Sequence, residues 1–536
     1  MTMTPETLSS APAAPPVRRG GSGFGRVLHA EWTKFRTVRG WVLGTFGALV
    51  AVCLVGLLAT AQTAQGGGRT AGLPVGPGGG AVNDSFSFLH QPLKGDGTLT
   101  VPVTSLTGRI ATTPTADRPG LAPWAKAGII VKDSLTPGSS YAAVMVTGEH
   151  GVRMQDDFTH DTAGPQGTSA ASPASAGGAP RWLRLKRAGD TVTGYRSTDG
   201  RTWSEVGTAR LSGLAETAQV GLFVTSPSAT EGTGTGTGFV PAVAIAVFGA
   251  PVLGGQWRGE AGQHRQEGDG WQHRQVGDGA GTSGSYTGAT KPQAVAVGAG
   301  YRITGAGDIA PVVGGPAGSG VRIVSNFLVG AFAGLIMLVV VATGYTTVEY
   351  RRGLIGVTFA ATPGRRRVLG AKAVVVGGTA FLVGTVAAAV MVPFGAARSA
   401  AGGFPVLTVP TATELRVILG TGLLLAAASV LALAVGAILR RSAVTITVVV
   451  AGLVLPYLLA SASLLPQEAS DWLLTVTPAA GFAIQQSVEH YDQVVTVYSP
   501  MHGYFPLPPW AGLGVLCAYA AAAFGVALVR VHRRDA

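Results

Sequence analysis

Cysteine is nearly absent from this chain: two residues in 536, Cys53 and Cys517, both inside apolar runs. That excludes a disulfide framework and a thiolate zinc site. Both thiols read as small apolar packing groups. Charge is scarce too, at 12% of residues where about 25% is usual. Because 47% of the chain is apolar, this scarcity does not signal overall disorder. The 80 glycines and 32 prolines keep no three-residue period, so a collagen-like chain is excluded. No GxxxxGK[ST] run occurs, so no loop of that kind cradles a nucleotide phosphate. No nucleophile–base arrangement is found either, and no catalytic residue, cofactor or metal ligand is expected.

What the chain does have is long apolar runs. Six can span a bilayer, which needs about 20 residues of helix: Trp41–Gln62, Ile323–Tyr345, Ala373–Pro393, Leu415–Leu439, Val444–Leu465 and Ala511–Val529. None contains an acidic residue, and Arg416, at one end of the fourth, is their one charge. A basic leader precedes the first run, which is also too long for a signal-peptide core. The fold class expected is a polytopic helical membrane protein of six transmembrane helices, with an all-β sandwich inserted between helices one and two.

The net charge of +12 is concentrated beside these runs. Residues 1–40 carry +4, 346–372 carry +5, Arg440 and Arg441 carry +2, and 530–536 carry +2, while the whole stretch 63–322 carries only +2. Nucleic acid would want one basic face, so it is not expected as a partner. A positive-inside pattern fits instead. With the N-terminus inside, the loops 346–372 and 440–441 fall inside, and the arginine- and lysine-free segment 466–510 falls outside. The expected location is the cell membrane, multi-pass, with both termini cytoplasmic and 63–322 extracellular. Residues 1–23, rich in Pro, Ala, Ser and Gly, read as a disordered tail.

The 63–322 segment reads as β. Short β-rich stretches at Thr98–Val103, Ala127–Val131, Tyr141–Val146, Trp182–Lys186 and Val220–Thr225 are separated by turns such as Thr136-Pro137-Gly138 and Thr198-Asp199-Gly200. A folded unit over 84–312 is expected. Thr162–Ala179 and Thr230–Gly238 read as flexible insertions, and Gly305–Pro311 as a hinge back to the membrane. The near-duplicate octets at 263–270 and 272–279 are too short to make a repeat fold.

Two resemblances follow. Ala30-Glu31-Trp32-Thr33-Lys34-Phe35-Arg36-Thr37-Val38-Arg39 precedes the first run. Glu349-Tyr350-Arg351-Arg352-Gly353-Leu354-Ile355 and Ala360-Ala361-Thr362-Pro363-Gly364-Arg365-Arg366-Arg367-Val368-Leu369-Gly370-Ala371-Lys372 lie between the second and third. Thr477-Pro478-Ala479-Ala480-Gly481, Ile484-Gln485-Gln486 and Pro508-Pro509-Trp510 precede the last. In this order around six spans, the chain resembles an ABC-2-type transporter permease. The resemblance implies a cytoplasmic ATPase subunit on a separate chain, a homodimer or heterodimer of permeases, and export. It also implies that the loop 346–372 couples to the ATPase. The segments Ala127–Leu135, Trp182–Arg187, Tyr195–Trp203 and Gly221–Ser226 resemble concanavalin A-like sandwich modules, which host binders, enzymes and spacers alike.

The candidate coupling residues are Glu349, Tyr350, Arg351, Arg352, Gly353, Arg365, Arg366, Arg367 and Lys372. The alternative is that these arginines set topology and meet anionic lipid headgroups. Thr362-Pro363 reads as a helix cap. Residues 24–40 read as an amphipathic helix on the bilayer surface, with Leu28, Trp32 and Phe35 on one face. In it Glu31 is expected to pair with Lys34 one turn on, and Arg36 to lie on the charged side. In the insert, Trp182, Tyr195 and Trp203 are candidate glycan contacts, although a Trp such as Trp182 on an apolar strand is more often core. Glu267-Gly268-Asp269-Gly270-Trp271-Gln272 lacks the third acid of a glycosidase pattern. Asp133, Asp156, Asp157 and Asp199 match no calcium-loop spacing. The other function class considered is a membrane-anchored receptor or adhesin acting through its sandwich; one span would serve that purpose.

Overall fold

The structure, a computed structural model, describes residues 23–63, 73–113, 116–165, 181–233, 236–257, 270–277, 291–313, 321–351, 353, 364–404, 406–462, 465–495 and 498–534. It has two parts, a helical bundle and a large β-sheet domain. Six helices are long and apolar enough to cross a membrane: Arg39–Thr60, Val324–Tyr350, Arg365–Ala401, Thr411–Leu439, Ser442–Ser461 and Pro509–Val531. The chain is a membrane protein on this reading.

The helices are α1 (Phe24–Thr37), α2 (Arg39–Thr63), α3 (Ala331–Arg351), α4 (Arg365–Ala401), α5 (Thr411–Leu439), α6 (Ser442–Ser461), α7 (Gln467–Val476) and α8 (Pro509–Arg534). Helix α5 is central: 67% of its most apolar window is buried, against 17% for α2, whose Leu43, Phe46, Leu54 and Leu58 face outward. Apolar surface around a buried strip suits a helix that meets lipid on one side and protein on the other. Helices α4 and α5 cross at Gly384 and Gly422, where a side chain on either would collide with the other backbone. That close approach is what the glycines provide. Left-handed Arg440 (φ 57°) ends α5, and α6 starts two residues on.

Two helices outrun the apolar stretches. Helix α3 continues to Arg351 and α4 starts at Arg365, so 346–351 and 365–372 are helix rather than loop. Gly364 occupies the N-cap of α4 without a side-chain cap, and Thr362 and Pro363 lie outside the described residues. The segment 466–510 holds α7 and a 3-10 helix, Pro478–Gln485, whose residues from Ala479 to Gln485 are all buried. Gln485 donates to Thr421 Oγ1 at 3.1 Å, satisfying a polar group inside the bundle.

The β domain is built on one strand of 28 residues, Phe86–Thr113. Its first half pairs with Thr217–Thr225, and next to that come Lys126–Lys132, Tyr141–Thr147 and Val152–Asp156. Its middle pairs with Arg181–Ala188 and its last part with Ala242–Phe248. Residues from both groups of strands, including Ile129, Val144, Leu183, Leu185, Val192, Leu222 and Ala246, share one core, so the sheet is folded over on itself. Alternation drives this: along Arg181–Ala188, Leu183 and Leu185 point inward, while Arg184 and Lys186 point away. All five expected β stretches are strands.

Two expectations about this domain are corrected. Ala229–Thr233 and Gly236–Val240 form a paired hairpin where a flexible insertion was expected. Ile309–Pro311 pairs with Val82–Asp84, so the chain leaves the domain through a strand beside the one by which it enters, not through a hinge. The other insertion lies largely outside the described residues, as do Glu267, Gly268 and Asp269. The domain also touches the bundle. Gln493 Nε2 donates to the Phe158 carbonyl at 3.3 Å.

Candidate functional site

The chain leaves α2 for the β domain and returns into α3. The opposite ends of these helices therefore gather at the end of the bundle far from that domain, together with α1 and the start of α4. Here the structure places a cluster of three buried charged side chains, Glu31, Glu349 and Lys372, with half-buried Lys34 at its edge. Helix α1 is laid on α4 by a stripe of Val27, Glu31 and Phe35, residues four apart on one helical face. Val27 packs with Val368 and Ala371. Glu31, 5% exposed in the middle of that stripe, meets Lys372, 2% exposed, with Lys372 Nζ donating to Glu31 Oε2 at 2.9 Å. Lys372 also donates to Glu349 Oε1 at 2.7 Å, and Lys34 donates to the same oxygen. Tyr345 donates its hydroxyl to Glu31 Oε2 at 2.6 Å, and Lys372 Nζ sits 4.4 Å from its ring centre. Phe35 and Trp41 pack edge-on against Tyr345 at 5.7 and 5.8 Å.

Two carboxylates and two ammonium groups balance, as buried charge must. Three elements are tied by the arrangement: α1, the last turn of α3 and the second turn of α4. Burial, and then the positive charge of Lys372, push the Lys34 ammonium down to about 8.

Two sequence readings are corrected here. Glu31 does not pair with Lys34; each goes to a partner on another helix. An exposed pair one turn apart is worth only a few tenths of a kcal/mol, too little to hold either side chain once a buried partner is within reach. Glu349 and Lys372 cannot be docking residues, because 3% and 2% exposure leaves a partner chain nothing to touch. On α1 the face packed against the bundle is Val27–Glu31–Phe35, while Trp32 is 42% exposed and stacks on Phe35 at 6.2 Å.

The remaining candidates sort by exposure. Arg366, Arg367 and Gly353 are exposed, Arg365 is half-buried and donates to the Val531 carbonyl at 3.2 Å, and half-buried Tyr350 lies under the Arg440 guanidinium at 4.6 Å. Arg36 is exposed on α1. Arg351 ends α3; Arg352 lies outside the described residues.

In the β domain, Trp182, Tyr195 and Trp203 come together. Arg184 is opposite Tyr195 in register, its guanidinium is 3.9 Å from the Trp203 ring centre, and its Nε donates to Thr100 Oγ1 at 3.0 Å. Trp182 lies on the same outward face, against Gly200, and is half-buried. The core reading of Trp182 is thus corrected: it sits on the face opposite Leu183 and Leu185. Asp199 holds the adjoining turn by accepting from the backbone N–H of Arg201 and Thr202, each at 2.8 Å, which keeps its carboxyl well below the usual range. Among the described residues, no group of three or more His, Cys, Asp or Glu could hold a metal ion.

No family model matches the chain, and no curated protein matches it. Two solved structures are similar to part of it. One is a functionally unknown protein from Saccharomyces cerevisiae, 16% identical, covering 35% of this chain and 84% of that one with a TM-score of 0.22. The other is scytalido-glutamic peptidase with a transition-state analog inhibitor, 10% identical, covering 43% of this chain and 100% of that one with a TM-score of 0.25. Overlaps this loose carry no argument about activity.

Proposed function

We propose that this chain is the permease subunit of an ATP-driven exporter, that it works as a dimer, and that its ATPase is a separate cytoplasmic polypeptide. The end bearing Arg366 and Arg367 faces the cytoplasm, and the β domain, read as a concanavalin A-like sandwich, is extracellular. One observation carries the reading: six spanning helices whose charged end bears exposed arginines beside a helix clamped by buried ion pairs. A docking partner could push on such a lever. Arg351, Arg352, Gly353 and Arg365–Arg367 form the docking surface, with Tyr350 behind it; Glu349 and Lys372 act only within the clamp. Reversing Arg351 and Arg352 to Glu places like charges at an interface, which costs several kcal/mol, roughly 1.4 for each tenfold in affinity. The reversed protein is expected to insert normally, because Arg365–Arg367 remain, and to lose co-purification with its ATPase. Retained ATPase binding and transport would leave the arginines a topological role alone. Orientation is checked in the same cells: a thiol reagent added outside should label Ser139→Cys and spare Ser442→Cys.

A second reading, a surface receptor for glycans, is favoured by the gathering of Trp182, Tyr195 and Trp203 on one outward face. Aromatic faces stack on sugar rings, and the guanidinium of Arg184 can donate to hydroxyls. If it holds, Trp203→Ala should lower binding on a glycan array about tenfold with unchanged melting. An array blank for the wild-type protein removes it.

A further inference from the structure

Arg184 stands in the middle of an outward sheet face, in one row with Tyr195 on the strand to one side and Thr100 on the strand to the other. Alternation puts Leu183 and Leu185 in the core and leaves Trp182, Arg184 and Lys186 on this face. Two contacts fix the guanidinium: it lies 3.9 Å over the Trp203 ring centre, and its Nε donates to Thr100 Oγ1 at 3.0 Å. The terminal nitrogens, Nη1 and Nη2, have no hydrogen-bond or ion-pair partner among the described residues. Neither is a buried atom, so both meet solvent. The acids nearby are engaged elsewhere. Asp199 accepts from Ser197, Arg201 and Thr202 within its own turn, and Glu205, across from Tyr195, accepts from Thr208 at 2.9 Å. Lys186, about 7 Å along the strand from Arg184, is exposed and also without an ion pair among the described residues. A guanidinium already stacked, and already bonded through Nε, has lost its rotamer freedom before any ligand arrives. What it presents is a planar pair of donors, which a carboxylate fills with two parallel hydrogen bonds. A neutral hydroxyl would leave its charge uncompensated.

We propose that this face binds a carboxylate-bearing glycan, a uronate oligosaccharide, and that Arg184 takes its carboxylate through Nη1 and Nη2. Tyr195 offers its ring to the sugar, and Lys186 meets a second carboxylate along the glycan. Such a site rests on the glycan-binding reading of this face and narrows its ligand to one class; it is independent of transport by the bundle.

The test uses the full-length protein in detergent and isothermal titration with trimers of galacturonate, mannuronate and guluronate, each beside its methyl ester. The ester keeps the rings and loses the charges. At least one acid is expected to bind about tenfold tighter than its ester, because charge-assisted paired hydrogen bonds are strong ones. Arg184→Gln should bring that acid down to the level of its ester and leave the ester unchanged. Arg184→Lys keeps the charge but not the fork, and should lose most of the preference. Lys186→Gln, at an exposed position, should weaken the acid about threefold, and serves if the Arg184 variants do not fold. Acid and ester bound equally by the wild-type protein overturn the carboxylate assignment and leave glycan binding standing. A preference undiminished in Arg184→Lys follows charge alone and also overturns it. Failure of every acid to bind, while neutral glycans bind on the array, removes the uronate site alone; an array blank for every sugar removes the glycan-binding reading beneath it as well.

Discussion

Replacing Lys372 by Met is expected to release α1 from the bundle. The substitution keeps most of the side chain's apolar volume and removes its charge. Glu31 and Glu349 would then share a buried site with Lys34 alone, leaving one carboxylate without a counter-charge. Removing one partner of a buried ion network costs about 3–5 kcal/mol, because the survivor stays desolvated. Relief comes from lifting α1 away, since Glu31 is its one buried acid. The readout is trypsin cleavage after Lys34 or Arg36 in the detergent-solubilised protein, expected to quicken about a hundredfold or more on that energy. Adding Glu31→Gln restores neutrality, leaving Lys34 with Glu349, and the double variant should recover part of the protection. Wild-type cleavage in the single variant would show that α1 is held by Val27 and Phe35 alone.

Periodicity carried most of the fold. The six apolar runs and the five β stretches needed only local pattern, and each is an element of the structure. Register and partners were less legible. The Gly- and Thr-rich segment from Ala229 to Val240 looks pliant because it has few side chains to pack, yet its backbone pairs five residues against five. Ile309–Pro311 is too short for alternation to mark, and pairs only because Val82–Asp84 is brought beside it.

The ion cluster shows the same limit more sharply. Glu31 and Lys372 are 341 residues apart, and Lys34 and Glu349 are 315 apart, so no local window contains either pair; Glu349 and Lys372 are 23 apart, but on two different helices. One local signal existed: Glu31 has Val27 four residues before it and Phe35 four after, an acid on an apolar stripe. Such a residue must find a buried cation. Exposed Arg366 and Arg367, by contrast, were readable from composition alone, because exposure is the default for arginine.

A second large loss is expected from Asp84→Ala in the β domain. The strand Lys126–Lys132 is buried along its whole length, and its two terminal lysines are completely covered. Lys132 Nζ donates to Asp84 Oδ2 at 2.7 Å and to the Ser139 carbonyl at 2.9 Å. Lys126 Nζ donates to Asp308 Oδ1 at 2.9 Å and to the Ile309 carbonyl at 2.6 Å. Asp84 is where the chain enters the domain and Asp308 is where it leaves, so one strand pins both ends of the insertion. Burial pushes the Lys132 ammonium below its usual value even with Asp84 beside it. Without that carboxylate the charge is buried unpaired, at a cost of about 3–5 kcal/mol. The pH dependence has a definite sign. The unfolded lysine keeps a pKa near 10.4, the folded one falls further, and the unfolded state therefore binds more protons between the two values. Stability of the variant should rise as pH is raised from 7 toward 10, narrowing its deficit against the wild-type protein. Hydrogen exchange in the full-length protein should show Val82–Asp84 and Ile309–Pro311 losing protection together, because each is the other's partner. Protection at both segments equal to wild type at pH 7 would mean that the pair contributes nothing to closing the domain.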